Sequence, residues 1–398
     1  MNSPAPPGTP SLYIHWPFCT AKCPYCDFNV HIDKTAPDES MWVKALLADL
    51  QWQLEGQALA PLQTIYFGGG TPSLLSPHAI AQLIAGALDL WPTVADPQIT
   101  LEVHPTSADQ AKFRDFRAAG VNRVSIGVQS FDATRLTFLG RDHSAQEAAA
   151  AVAHARHVFD ALNLDLMTAL PAMTLADQAW EIDQALDRGV DHLSVYQLGI
   201  EPGTAFAAAV RQGLWQPQGA DQAADFFQAA IDQITLAGFD HYEVSNFAKP
   251  GFESQHSVLG WRGQGYVGIG PGAEGRAPML APTLPTTQSL TPSGPWRQRI
   301  TRKSPSGYLT QVRQQGHGLD IDAPLGDADR CIEQLIFGLR LTAGLPLDAA
   351  AWTLCPPELI RRLIDSGDLV ETPTHRRATD QGRLRLDALS DYLINYAR

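Results

Sequence analysis

The chain is short of positive charge. Lysine and arginine total 29 against 42 aspartates and glutamates, a net charge of −13 over 398 residues. That balance argues against bulk affinity for nucleic acid or anionic lipid, while leaving room for a local basic pocket. Charge of either sign is sparse, at 18%, and 44% of residues are hydrophobic. This excludes a disordered chain and supplies core enough for two or three domains. No apolar run reaches the roughly 18 residues that a spanning helix needs. Met1 to Pro10 carries four prolines and no basic residue, so it lacks the charged and apolar parts of a signal peptide and reads as a disordered lead-in. The expectation is a cytoplasmic protein with no stable membrane insertion and no nucleic-acid partner. Cysteine is also rare. There are five, an odd number that does not form a disulfide framework, and three of them fall between positions 19 and 26. Clustered thiols in a reducing compartment point to metal.

What the chain does have is a repeating strand and helix register. Apolar strand patterns occur at Ser11–His15, Thr64–Phe67, Gln98–Val103, Arg123–Val128, Asn163–Met167 and His192–Tyr196. Helical patterns between them cover Glu39–Leu54, Pro77–Leu88, Ala108–Ala119, Ala145–Phe159 and Leu175–Asp187. Ser76 and Pro77 mark a helix start, and Gly120 and Gly189 mark helix ends. Such alternation predicts parallel strands with right-handed crossovers. Polar and special residues gather after or near the end of each strand: the cysteines, Gly68 to Gly70, Glu102, Gln129, Asp165 and Gln197. One functional rim at the C-terminal strand ends predicts a partial (β/α)6 TIM-like barrel over residues 11–247. Residues 248–305 are rich in Gly and Pro and read as an extension and linker of loops and hairpins. Residues 306–398 read as a small helical, winged-helix-like C-terminal domain, with helices at Cys331–Leu341, Pro357–Asp365 and Leu386–Tyr396 and a strand at Asp368–Thr372.

The spacing of Cys19, Cys23 and Cys26 is C-x3-C-x2-C, with Pro24 discouraging a helix. Soft thiolates at this spacing suit a [4Fe–4S] cubane, and three ligands for four irons leave one iron open to a chelating ligand. The alternatives are three buried thiols or zinc, for which His15 and His31 flank the run. Gly68-Gly69-Gly70-Thr71-Pro72 follows the second strand, where glycine lets backbone groups approach a ligand closely. The bland alternative is a tight strand-to-helix turn.

Together the cysteine segment, Tyr66 to Pro72, Gly120 to Phe131, Asn163 to Met167, Tyr196 to Thr204 and Tyr242 to Ser245 resemble the oxygen-independent coproporphyrinogen III oxidase family of radical S-adenosylmethionine (SAM) proteins. Position 28 is Phe28, where the oxidases resemble a further cysteine, so the closer resemblance is to the heme chaperone branch. The resemblance implies a radical SAM barrel and a [4Fe–4S] cluster on Cys19, Cys23 and Cys26. It implies SAM contacts from Tyr13, Tyr25, Gly69, Gly70, Thr71, Glu102, Gln129, Arg141 and Asp165. It also implies heme as a ligand held at His256 and Trp261, with an electron donor and a heme-accepting protein as partners. The chaperone motif resembles H-N-x-x-Y-W, and here it reads His256-Ser257-Val-Leu-Gly260-Trp261. Glu274 stands where the family resembles histidine, and a carboxylate is a poor substitute for an axial imidazole.

Two other readings stay open: a coproporphyrinogen oxidase, and a cluster and SAM protein without heme handling. Taken alone, Arg141 is also readable as a surface ion pair, Asp165 as a structural carboxylate and His256 as a structural histidine. Cys331 and Cys355 read as apolar fillers. The arginines of residues 361–385 leave DNA binding by a winged helix as a rival to a solvated face.

Overall fold

In the computed structural model, which describes residues 8–32, 37–107, 109–280 and 295–397, β1 covers Thr9–Trp16. Leu12, Ile14 and Trp16 point into the core, while Ser11, Tyr13 and His15 share the opposite face by strand alternation. Five more parallel strands follow: β2 (Leu59–Gly69), β3 (Thr93–Val103), β4 (Arg123–Gln129), β5 (Ala161–Thr168) and β6 (His192–Gln197). They lie in sequence order, each hydrogen-bonded to the next. The crossover helices are α1 (Glu39–Leu54), α2 (Pro77–Leu90), α3 (Gln110–Ala118), α4 (Ala145–Arg156) and α5 (Leu175–Leu186). Their starts are fixed by side-chain caps. Ser76 accepts from Ala79 N–H at 3.2 Å with Pro77 behind it, and Ser144 with Glu147 and Thr174 with Asp177 form capping boxes. Gly120 and Gly189 follow α3 and α5 at φ +109° and +69°. The barrel expectation holds. Ala108, with which the third helical pattern begins, lies outside the described residues, as do residues 1–7 of the lead-in. Of that lead-in, Thr9 and Pro10 belong to β1, where Thr9 pairs with Leu59.

The rest of the sheet was less visible in sequence. After β6 come α6 (Ala220–Leu236) and two short antiparallel strands, β7 (Asp240–Glu243) and β8 (Asn246–Ala248). Helix α7 (Gln255–Trp261) leads into β9 (Tyr266–Ile269), which pairs parallel with the free side of β1. Then β10 (Glu274–Pro278), β11 (Trp296–Thr301) and, after α8 (Pro305–Gln315), β12 (Leu319–Leu325) add antiparallel strands outward, giving a 12-stranded sheet. The stretch read as loops and hairpins therefore contributes three strands to the sheet; four-residue β9, flanked by Gly265 and Gly270, hides among turn residues. Residues 281–294 lie outside the described residues.

The break in packing does not fall between residues 305 and 306. Tyr308 and Val312 of α8 belong to the barrel core, and a second core begins only with α9 (Asp327–Arg340). That second core includes Leu335, Leu339 and Trp352, together with α10 (Pro357–Asp365), the hairpin β13 (Leu369–Glu371) and β14 (His375–Ala378), and α11 (Leu386–Ala397). This unit combines helices with a small antiparallel sheet. Among the described residues no helix is long and apolar enough to cross a membrane.

Candidate functional site

The three clustered cysteines follow β1 directly. Phe18–Cys19 pairs with His31–Ile32, and Cys26 N–H donates to Cys23 C=O at 3.1 Å, curling the loop back on itself. All three are free thiols and line one cavity of about 350 Å³. Burial pushes the Cys19 and Cys26 thiols up, and the neighbouring cysteines add to this. Without a cation the loop therefore favours neutral thiols in a place where three thiolates would suit a metal. The flanking histidines are anchored through Nε2. His15 Nε2 sits 3.0 Å from Asn29 C=O and His31 Nε2 3.2 Å from Lys303 C=O. A carbonyl only accepts, so each of these nitrogens carries the proton, and the lone pair of each ring stays on Nδ1, which in His15 lies 3.0 Å from Tyr13 Oη.

The glycine turn closes over this loop. Gly70 N–H donates to Trp16 C=O at 2.7 Å, Thr71 N–H to Phe18 C=O at 2.9 Å, and Thr71 Oγ1 lies 3.4 Å from Cys19 Sγ. A Cβ on Gly70 would stand 2.7 Å from Phe18 O and 3.0 Å from Cys19 Sγ. Gly69 sits at φ +110°, and a Cβ there would strike the His15 ring at 2.6 Å. Gly70 needs glycine so that backbone can lie against the cysteine loop, and Gly69 so that it can pass the His15 ring.

Glu102, Gln129, Arg141 and Asp165 line the same cavity. Glu102 accepts from Tyr66 O–H at 2.9 Å and from Gly69 N–H at 3.2 Å. Burial, then the Asp165 charge, pushes its carboxyl up to about 7. Asp165 is itself raised by burial, although Asn163 and Ser125 donate to it. Gln129 ends β4 in the left-handed region at φ 67°, a conformation uncommon for a residue with a side chain. Arg141 donates to Gly127 C=O at 2.9 Å and lies 3.5 Å from Cys23 Sγ, while its buried Nε has no partner. Tyr25 lies beside Arg141 and Cys23, and burial raises its phenol.

Tyr13 stacks on Tyr66, with ring centroids 6.3 Å apart. On the inward face of β1 with Ser11 and His15, it lines a second cavity of about 510 Å³, on the other side of Glu102 and Gly69. His256, Ser257, Gly260, Trp261 and Glu274 line this second cavity too, with Phe28, Tyr266 and Phe337. The His256 ring stacks on Tyr66 with centroids 4.9 Å apart, and its Nδ1 lies 3.3 Å from Thr64 Oγ1. Burial, with Arg123 adding, lowers its pKa to about 4, so the imidazole is neutral near pH 7. Trp261 packs on Phe337, with the Arg340 guanidinium 4.6 Å from its ring centroid. Phe28 and Ser257 line both cavities.

The radical SAM superfamily model matches residues 13–182. Heme chaperone HemW of Escherichia coli is 36% identical over 396 residues, spanning 96% of this chain and 98% of that protein. The chain belongs to the HemW family of radical SAM proteins. The mitochondrial radical S-adenosyl methionine domain-containing protein 1 of Bos taurus is 37% identical, over 86% of this chain and 76% of that one. The fold matches the Escherichia coli coproporphyrinogen III oxidase HemN, described as a radical SAM enzyme, with a TM-score of 0.77 at 22% identity over 98% of this chain and 91% of that one. Membership implies a [4Fe–4S] cluster and SAM. The three free thiols in one cavity, the unpartnered Arg141 Nε and the cradle at Gly70 fit such groups.

The sequence reading missed the floor of the first cavity. Ser125, Asn163, His192 and Ser194 occupy inward positions of β4, β5 and β6 and form one hydrogen-bonded layer. Asn163 donates to Ser125 Oγ at 2.7 Å, and His192 Nε2 meets Tyr242 O–H at 2.7 Å. The available signal was strand alternation: Ser125, Gly127 and Gln129, then Asn163, Asp165 and Met167, lie two apart on one face.

Proposed function

We propose that this chain is a cytoplasmic heme chaperone that carries a [4Fe–4S] cluster on Cys19, Cys23 and Cys26 and binds SAM beside it. The glycine turn Gly69-Gly70-Thr71, with Tyr25, Glu102, Gln129, Arg141 and Asp165, would hold SAM, and Tyr13 would act from the neighbouring cavity. When bound, the cluster and SAM supply one-electron chemistry. The chain's own residues orient the ligand, exclude water and keep Glu102 poised near neutrality. The free thiols suit a reducing compartment.

Heme would sit in the second cavity against His256 and Trp261, to be passed to an acceptor protein, with a separate electron donor serving the cluster. The observation that carries this reading is the shared wall: Gly69 and Glu102 face both cavities, so a ligand in one lies against the site of the other. His256 is neutral and aromatic surfaces flank it, which suits an axial ligand and a porphyrin plane. Glu274 favours a second reading, a relative without heme handling. It lines the same cavity, 3.5 Å from Arg276. The test is an anaerobic hemin titration of the reconstituted protein. The chaperone reading expects a Soret shift in wild type and at least ~10-fold weaker binding in His256→Ala, as for loss of an axial ligand. No Soret shift with the cluster intact would establish the second reading instead.

A further inference from the structure

His104 follows β3 directly, and Asp142 and His143 follow Arg141 in the loop before α4. His104 Nε2 lies 3.0 Å from Asp142 Oδ1. One ligand atom from each of the three residues falls within 4.8 Å of the others, a grouping found once among the described residues. His143 is 5% exposed, and its Nε2 lies 3.1 Å from Val128 C=O. A carbonyl only accepts, so Nε2 carries the proton and Nδ1 presents a bare lone pair. That Nδ1 is buried and has no hydrogen-bond partner, an unsatisfied acceptor in a place that costs stability.

We propose that His104, Asp142 and His143 form a binding site for one divalent first-row transition-metal ion, distinct from the cysteine cluster, at the rim of the first cavity. Two imidazoles and a carboxylate are a borderline donor set of the kind that takes Zn2+, Fe2+ or Co2+ and leaves further positions open. His104 and Asp142 line the cavity, so the open positions face it. The groups behind the ligands are in place. Val128 C=O orients His143, and Thr106 holds the His104 ring at Nδ1, which accepts its N–H at 3.4 Å and lies 2.9 Å from its Oγ1; a metal on Nε2 would move the His104 proton to Nδ1, where Thr106 Oγ1 can accept it. Burial, with Arg141 adding, lowers both histidines to about 4, so both are neutral near pH 7. The Arg141 guanidinium opposes a nearby cation, but it is engaged with Gly127 C=O and Cys23 Sγ, and Asp142 supplies the compensating charge. Thr20 Oγ1 donates to Asp142 Oδ2 at 3.2 Å. Thr20 stands between Cys19 and Cys23, so an ion here would also pin the cysteine loop to the strand ends.

The experiment uses the protein with its iron–sulfur cluster reconstituted and loose metal removed. Zinc is titrated by equilibrium dialysis, with iron and zinc both counted. The site predicts one zinc per chain in addition to the cluster iron. It predicts zinc binding weakened more than ~10-fold in Asp142→Asn and in His104→Gln with iron unchanged, since altering even outer partners of a metal site costs this much. Cobalt in the wild-type protein should give ligand-field bands without thiolate charge transfer, a readout independent of how the variants fold. No zinc beyond the iron, zinc that displaces iron, or zinc binding unmoved in both variants would overturn the proposal and leave the three residues a hydrogen-bonded strut.

Discussion

Glu102 is the side chain on which the two cavities meet, and its protonation is readable in stability. Its carboxyl is raised from 4.5 to about 7. A raised folded pKa means that the native state holds a proton which the unfolded chain releases above its own pKa. The stability this gives is complete below pH 4.5 and is lost as pH rises through about 7. A shift of that size corresponds to on the order of 3 kcal/mol. In the cofactor-free protein, Glu102→Gln should therefore lose less stability than wild type between pH 5 and pH 8 in urea unfolding; parallel profiles would contradict the assignment. Replacing Cys19, Cys23 or Cys26 with Ala should abolish bound iron, whereas Cys331→Ala and Cys355→Ala should leave it unchanged. Cys355 is buried in the second core and Cys331 packs against it. Iron counts in the five variants check both halves. At this scale the sequence was most legible where residues stand at strand ends, as with the cysteines, Glu102 and Gln129. It was least legible inside strands. Asn163 and His192 lie in apolar runs, and which face they take depends on how the sheet closes.

At the scale of elements, turn chemistry and capping carried the reading. Long amphipathic helices with Ser or Thr caps were found within a few residues, because a side-chain oxygen on an exposed helix N–H is a local signal. Short strands among glycines were not, since β9 owes its place to pairing with β1 rather than to its own pattern. Two substitutions test these elements. Gly70→Ala should push the Pro17–Phe18 backbone and the Cys19 sulfur outward and lower iron retention after desalting; full retention would show that the turn does not cradle the loop. Tyr308→Phe should cost about 1–3 kcal/mol, because Asp49 loses the 2.7 Å hydrogen bond it accepts from Tyr308 O–H in a fully buried site. A urea-unfolding difference near zero would detach α8 from the barrel core.

At the scale of the molecule, one continuous sheet joins both cavities, and the C-terminal unit closes on it through Arg340, 3.5 Å from Glu243, and through Thr342 N–H to Tyr242 C=O at 3.1 Å. Phe337 and Arg340 of α9 thereby pack around Trp261 beside the second cavity. Composition could not place this closure, because the residues on both sides are ordinary core and surface types. The account as a whole rests on three thiols leaving one iron free for SAM. Its most direct test is the EPR spectrum of the anaerobically reconstituted, dithionite-reduced protein before and after SAM is added. The account predicts a reduced [4Fe–4S] signal that changes when SAM binds. Absence of a cubane signal, or a cubane signal that SAM leaves untouched, would contradict it.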